Sequence, residues 1–173
     1  NKGIKVLTRV EAKEIQRQEK RVKVCHLDTG KDEYLEYDKL VIATGAQAIR
    51  PPFPGANLER VFTVSDLHDA KTIKGLMAGG KIGKAVVIGA GAIGLEITEA
   101  LIDLWGIETT LIEMEDQVLP TLIGKCIGRV IAKELERNGV TLRLEERVLE
   151  IAEKEQSEQL LVRTSRKTLE ADI

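Results

Sequence analysis

The sequence predicts an α/β fold: a parallel sheet alternating with helices, preceded by a smaller antiparallel β-meander. After residue 80, short apolar segments alternate with segments whose apolar residues recur every three or four positions, which is typical of βαβ units. A glycine-rich turn joins the first of these strands to the first of these helices. Before residue 80, alternating apolar and polar residues around a turn signal predict antiparallel strands.

Composition limits the class of protein and its partners. The 173 residues are 43% hydrophobic and 31% charged, with a net charge of −2. A near-neutral balance argues against a nucleic-acid or anionic-membrane partner, because such partners require strongly basic faces. No apolar run approaches the length of roughly 18 residues that a membrane span needs. We therefore expect a cytoplasmic protein with no nucleic-acid and no membrane partner.

A glycine-rich join near residue 80 predicts two domains, 1–80 and 81–173. Three glycines and two lysines lie within residues 78–84, a composition typical of a flexible connection. The residues before the join carry a net charge of +3 and those after it −5. The two parts therefore differ in charge as well as in pattern.

The first domain is expected to hold a meander followed by a buried strand. Alternation and turn signals predict strands at Ile4–Leu7, Arg21–Leu27 and Tyr34–Tyr37. The continuous apolar run Leu40–Ala43, which ends at Thr44, predicts a strand buried on both faces. Three prolines between positions 51 and 54 then predict extended loop.

The second domain is expected to alternate strands and helices. Helical stripes predict helices over 93–104 and 123–138, which Gly106 and Gly139 end. The predicted strands are Ala85–Ile88, Thr109–Ile112, Val140–Leu144, Val148–Ala152 and Leu160–Thr164, of which the last two form a meander or hairpin.

The strongest functional signal is the G-x-G-x-x-G turn at residues 89–94. It follows a predicted buried strand and opens a helix, which is the context of a Rossmann-like dinucleotide site. Gly89 permits the tight turn, Gly91 lets the backbone approach a pyrophosphate, and Gly94 allows close packing of helix on strand. The alternative is a strand–helix turn without a ligand.

Glu113 predicts which dinucleotide is preferred. It ends the second strand of the unit, 24 residues after Gly89, close to the spacing of about 20 for an acid that accepts ribose hydroxyls. Its carboxylate would repel a 2′-phosphate, and no Lys or Arg lies between Gly94 and Lys125. The sequence therefore predicts NADH rather than NADPH, unless Glu113 is simply a solvated residue at a strand end.

Four segments together resemble a known family. Residues 36–55, 61–70, 89–96 and 111–120 are similar, in order, to motifs of the FAD-dependent pyridine nucleotide-disulfide oxidoreductases. The resemblance covers essentially the whole chain. It is greatest for the branch with NADH oxidases, coenzyme A-disulfide reductases, nitrite reductase flavoproteins and rubredoxin reductases.

The resemblance implies hydride transfer from NADH to FAD, and from there to a disulfide, dioxygen or an electron carrier. It places the pyrophosphate and nicotinamide side at Gly89, Gly91, Ile93 and Gly94. It also implies that Glu96 lies near the nicotinamide amide, that Glu113 binds the adenosine ribose, and that Thr44, Gly45 and Val10 approach FAD. On the residues alone, Glu96 is an ordinary polar helix position.

Several family parts have no counterpart in the sequence, which leads us to expect a central piece of a longer oxidoreductase. The chain starts without an initiator Met, and neither a flavin-binding glycine turn nor the redox cysteine precedes residue 80. We expect residues 1–80 to be a partial FAD domain and 81–173 an NADH domain lacking its last strand. The piece alone would be inactive and colourless, whereas the complete protein would be a homodimer. The alternative is a stand-alone nucleotide-binding or interaction module without redox turnover.

No catalytic residue and no metal site are predicted within the chain. Cys25 and His26 are adjacent on one predicted strand, so their side chains point to opposite faces and do not form a dyad. Cys126 is expected to border a packed helix face. The cysteines and histidines show no ligand spacing, and no Tyr-x-x-x-Lys pair follows the glycine turn, which disfavours a short-chain dehydrogenase.

Overall fold

The computed structural model describes residues 3–173, which form two compact units. The first unit extends to Ala46 and the second comprises Gln47–Ile173. Within the second unit, the side chains of Phe53, Leu58 and Val61 cover an apolar cluster of the residues that follow position 80. The compact units therefore divide earlier than the glycine-rich join, while the assignment of 1–80 and 81–173 to two cofactor domains stays a prediction.

The first unit contains an antiparallel meander of three strands in sequential order. The strands are β1 (Val10–Gln16), β2 (Arg21–His26) and β3 (Lys31–Glu36). The expected strand at Ile4–Leu7 is wrong, because β1 takes the first place in the meander. An irregularity between Ala12 and Glu14 shifts the register of β1 and disrupts the period-two pattern that would have revealed it.

The expected buried strand at Leu40–Ala43 is also wrong. These residues form no strand, and Val41 and Ile42 are 84% and 67% exposed. A strand that is apolar on both faces needs hydrogen-bonded neighbours and covering layers. Among residues 3–173, no strand pairs with this run.

The second unit begins with a helix that the sequence pattern did not reveal, α1 (Leu67–Ala78). Asp66 caps it by accepting a hydrogen bond from the Asp69 amide at 2.9 Å. The Asp69 carboxylate in turn accepts bonds from the amides of Thr63 and Val64. The entry into the helix is therefore fixed from both sides.

A three-stranded parallel sheet forms the centre of the second unit. Its strands β4 (Lys84–Ile88), β5 (Glu108–Ile112) and β6 (Thr141–Arg143) lie in sequential order. The helices α2 (Ala92–Asp103) and α3 (Lys125–Arg137) connect them. The register pairs Ile88 with Ile112 and Ile112 with Arg143, so the carboxyl ends of all three strands meet at one edge.

A second antiparallel meander covers the parallel sheet. It consists of β7 (Val148–Glu153), β8 (Leu160–Thr164) and β9 (Thr168–Ala171). Ile112 packs on buried side chains of this meander, among them Ile151 and Val162. Its neighbour Leu111 lies in a different cluster with side chains of α2 and α3. The sheet is thus covered on both faces, which explains the consecutive apolar residues in β4 and at the end of β5.

The chain then returns to the free edge of β4. The Asp172 amide donates to the Lys84 carbonyl, and the Val86 amide donates to the Ile173 carbonyl. The Asp172 carboxylate also accepts hydrogen bonds from the amides of Gly83 and Lys84, each at 2.8 Å.

No helix within residues 3–173 has the length and apolar character to cross a membrane.

Candidate functional site

The glycine turn lies between β4 and α2, at the edge where the parallel strands end. Gly89 has a φ of +100°, a conformation that glycine adopts readily and other residues rarely adopt. Its amide donates to the Ile112 carbonyl at 2.8 Å. A Cβ at Gly94 would collide with the Gly89 carbonyl and would meet Val87 Cγ1 at 3.6 Å. The turn therefore requires the glycines at both positions, as the motif predicts.

The amino terminus of α2 has backbone amides that no side chain caps, so they are available to an anion. Its N-cap is Gly91, which supplies no side-chain hydrogen bond, and its first turn carries no acidic residue. The first amides of a helix have no intrahelical acceptor and lie at the positive end of the helix dipole. By contrast, a carboxylate caps α1. The sequence thus leaves α2 suited to a phosphate.

Ala90 connects the glycine turn to the loop that follows β5. Its amide donates to Glu113 Oε2 at 2.8 Å, and its carbonyl accepts the Leu119 amide at 2.8 Å. The residue is fully buried. The shape of the turn is therefore held by contacts with residues more than twenty positions away.

The Glu113 carboxylate is the polar centre of this connection. Oε2 binds the Ala90 amide and Oε1 accepts the Glu115 amide at 3.0 Å, while the residue is only 8% exposed. Each carboxylate oxygen can accept a second hydrogen bond. Glu113 is therefore ordered and retains acceptor capacity for hydroxyl groups of a ligand.

A second buried carboxylate lies behind Glu113. Glu146 is 1% exposed and accepts hydrogen bonds from Arg143 Nε, at 2.7 Å, and from the Thr164 hydroxyl. Burial raises the pKa of Glu146, but the hydrogen bonds from Thr164 and Arg143 outweigh it and bring the pKa below its ordinary value. Glu146 therefore remains ionised at neutral pH.

An open cavity of about 610 Å³ adjoins the turn within the second unit. It is lined by Gly89, Gly91, Ile93 and Gly94, together with mostly apolar residues such as Ile97. Four of the predicted site residues thus lie along one cavity wall.

The other predicted site residues are placed elsewhere. Glu96 is exposed on α2. Val10, Thr44 and Gly45 belong to the first unit, where Val10 starts β1 and the other two are exposed. The contacts within either unit do not test the roles of these four residues, which stay predictions.

One ion pair near Glu113 was missed in the sequence. Lys125, at the start of α3, pairs with Asp116. The side-chain hydrogen bond from Lys125 is the main reason why the pKa of Asp116 is lowered. The acidic segment Glu113–Asp116 is therefore paired with a cation, although the two partners lie nine positions apart in sequence.

The two cysteines of the described residues lie on different elements, Cys25 on β2 and Cys126 on α3. Cys25 and His26 are neighbours on β2, and His26 Nε2 lies 2.7 Å from Glu33 Oε2. Cys126 is exposed on α3, contrary to the expected packed position, because the apolar core contacts of this helix come from its later turns. Within residues 3–173, no three His, Cys, Asp or Glu side chains cluster as metal ligands would.

Comparison with known sequences assigns this arrangement to a family. The sequence profile described as pyridine nucleotide-disulphide oxidoreductase matches residues 1–173. An NADH oxidase of Methanocaldococcus jannaschii is 32% identical over 161 residues, which cover 93% of this chain and 36% of that protein. The chain thus spans about a third of the length of such relatives.

Solved structures show the same fold. A NAD-dependent persulfide reductase from A. fulgidus matches with a TM-score of 0.87 and 38% identity, over 99% of this chain and 31% of that one. A water-forming NADH oxidase from Lactobacillus brevis, bound to NADH, matches with a TM-score of 0.79 and 27% identity, over 95% and 35%.

Proposed function

Because the chain belongs to the pyridine nucleotide-disulphide oxidoreductase family, we propose that it supplies the NADH-binding portion of a flavoprotein oxidoreductase. The predicted family and the predicted Rossmann-like α/β fold class are confirmed. The activity of the complete protein goes beyond this chain. The transfer of a hydride from NADH to FAD, and then to a disulfide, dioxygen or an electron carrier, is therefore part of the proposal.

The residues of the glycine turn fit the pyrophosphate of NADH. The uncapped first turn of α2 offers amides and a positive dipole end, and Gly91 presents no side chain in front of them. Gly94 lets the helix approach the turn closely. These residues would bind and orient the dinucleotide, which itself supplies the hydride when bound.

Glu113 fits the adenosine ribose. Its ordered carboxylate has free acceptor positions and would repel a 2′-phosphate. Lys125, the nearby cation, is engaged by Asp116. We therefore expect NADH to bind in preference to NADPH.

The flavin part of the proposal depends on the first unit. Val10, Thr44 and Gly45 are the proposed FAD contacts, by resemblance. Glu96 is the proposed contact of the nicotinamide amide. That the complete protein is a cytoplasmic homodimer without a nucleic-acid partner stays a prediction.

The observation that carries the proposal is the hydrogen bond from the Ala90 amide to the Glu113 carboxylate, because it connects the turn proposed to bind the pyrophosphate with the acid proposed to bind the ribose. Calorimetric titration of the folded chain with NADH and NADPH tests it. We expect NADH to bind more tightly. Equal affinities, or no binding by folded protein, would contradict the proposal.

Glu113→Gln tests the proposed contact between Glu113 and the adenosine ribose. It removes the charge and one of the two acceptor oxygens, so we expect NADH binding to weaken by about 1–3 kcal/mol, the range for hydrogen bonds of charged groups. Glu136→Gln, on an exposed turn of α3, is the control and should leave the affinity unchanged. An absorbance spectrum of the purified protein tests for retained flavin: a yellow protein would exclude a module without redox function, although we expect this chain alone to be colourless.

A further inference from the structure

We propose that Glu146 is a positioning residue for the dinucleotide: its buried carboxylate fixes the main chain from which Glu113 reaches the ribose. This inference rests on the proposed function of Glu113. It concerns a residue that lies outside the predicted site and has no motif of its own in the sequence.

Glu146 is an unusual residue to bury. It lies in the connection between β6 and β7 and is 1% exposed. A buried carboxylate is costly unless it is paired and hydrogen-bonded. Its partners come from two different elements, Arg143 at the end of β6 and Thr164 at the end of β8. The carboxylate therefore ties the edge of the parallel sheet to the covering meander.

The main chain of the same segment holds Glu113 on both sides. The Glu113 amide donates to the Arg143 carbonyl at 2.9 Å, and the Glu146 amide donates to the Glu113 carbonyl at 3.0 Å. The Glu145 amide donates to the Glu115 carbonyl at 3.0 Å. A shift of residues 143–146 would therefore move the backbone of Glu113 directly.

Stability alone does not account for a charge at this place. Replacing a buried ion pair by apolar residues of similar volume is often neutral or stabilising, and in some proteins a buried charged group is retained because it selects one geometry. A binding group needs support that holds it within about 0.5 Å of its working position. The Glu146 network supplies such support to the one residue proposed to read the ribose.

The inference predicts a ligand-selective defect. Glu146→Gln should weaken binding of NADH and of ADP-ribose about tenfold, within the range of couplings between residues of one network. Reduced nicotinamide mononucleotide lacks the adenosine ribose, so its affinity should not change. A merely structural role would lower the affinity for all three ligands alike.

A double-mutant cycle with Glu113→Gln isolates the coupling. Calorimetry on the full chain should show the tenfold loss of NADH affinity in the wild-type background, and less than about a twofold loss once Glu113 is replaced. The same loss in both backgrounds, or an equal loss for the mononucleotide, would overturn the inference.

Variants of Thr164 provide an independent route if Glu146→Gln does not fold. Thr164→Val removes the hydroxyl that donates to Glu146 and should reproduce the selective loss of affinity for NADH and ADP-ribose. Thr164→Ser keeps a hydroxyl and should retain the wild-type affinity. If both bind NADH like the wild type, the inference fails. If the folded wild type does not bind NADH, or Glu113→Gln leaves binding intact, the proposed function itself has failed.

Discussion

Gly94 is placed so that its missing side chain leaves room for the turn before it. Any Cβ at this position would meet the main chain of Gly89, which cannot move without breaking its bond to Ile112. We expect Gly94→Ala to lower the free energy of unfolding by about 1–3 kcal/mol, the usual cost of overpacking. Urea unfolding followed by circular dichroism measures this.

Gly75 provides the matched control for that substitution. It is an exposed position of α1, where an added Cβ would have no atom within 4 Å. Gly75→Ala should raise the free energy of unfolding by about 0.5–1 kcal/mol, because alanine loses less backbone entropy in a helix. A similar loss for both variants would contradict the steric argument at Gly94.

Motif spacing selects the residues of the candidate site, but it does not reveal the hydrogen-bond partners that hold them. Gly89, Gly94 and Glu113 belong to a motif with fixed spacing, so their types and positions carry the information. The Ala90–Glu113 and Glu146–Thr164 bonds join residues 23 and 18 positions apart. Such pairs depend on how strands come together, which no local pattern records.

At the scale of the element, the cap stabilises the first turn of α1, whereas Ile73, Leu76 and Met77 pack in its later turns. Of its residues, only Met77 is buried, so packing contributes little to its first turn. Asp66→Ala removes the cap acceptor and should cost about 1 kcal/mol of stability. Asp66→Asn keeps an acceptor oxygen and should cost much less. Thermal unfolding of both variants tests this, and equal losses would refute the role of the cap.

The elements that the sequence predicted well are those with unambiguous periodicity. β4 and β5 contain consecutive apolar residues that face opposite sides of the sheet, and the apolar residues of α2 and α3 recur at helical spacing, with a glycine shortly after each helix. The bulged β1 and the polar α1 lack such patterns. The apolar run after Lys39 had a strand-like pattern, but pattern alone does not supply the neighbours that a strand needs.

For the whole molecule, two carboxylates make stability depend on pH. Burial raises the pKa of Asp172, but the bonds from Gly83, Gln159 and Lys84 outweigh it and lower the pKa below 3.8. The pKa of Glu146 is likewise lowered below 4.5. A carboxyl group whose pKa is lower in the folded state stabilises fully above its unfolded pKa, and this stabilisation is lost as pH falls towards the folded value.

We therefore expect the free energy of unfolding to decrease at pH values below about 4.5, because the unfolded chain takes up protons that the folded chain does not bind. Asp172→Asn should make the free energy of unfolding less dependent on pH in the range below the ordinary pKa of an aspartate. Urea titrations at pH 7, 5, 4 and 3 measure it. A wild-type profile that stays level to pH 3 would contradict the argument.

The return of the chain to β4 has a consequence for the order of folding. β4 pairs with β5 on one edge and bonds Asp172 and Ile173 on the other, almost ninety residues later. Contacts of such sequence separation form slowly, because a long loop must close before they contribute. During synthesis the β4 edge stays unpaired until residues 172 and 173 emerge, so nascent chains that stop short of Asp172 would expose an apolar strand edge to aggregation.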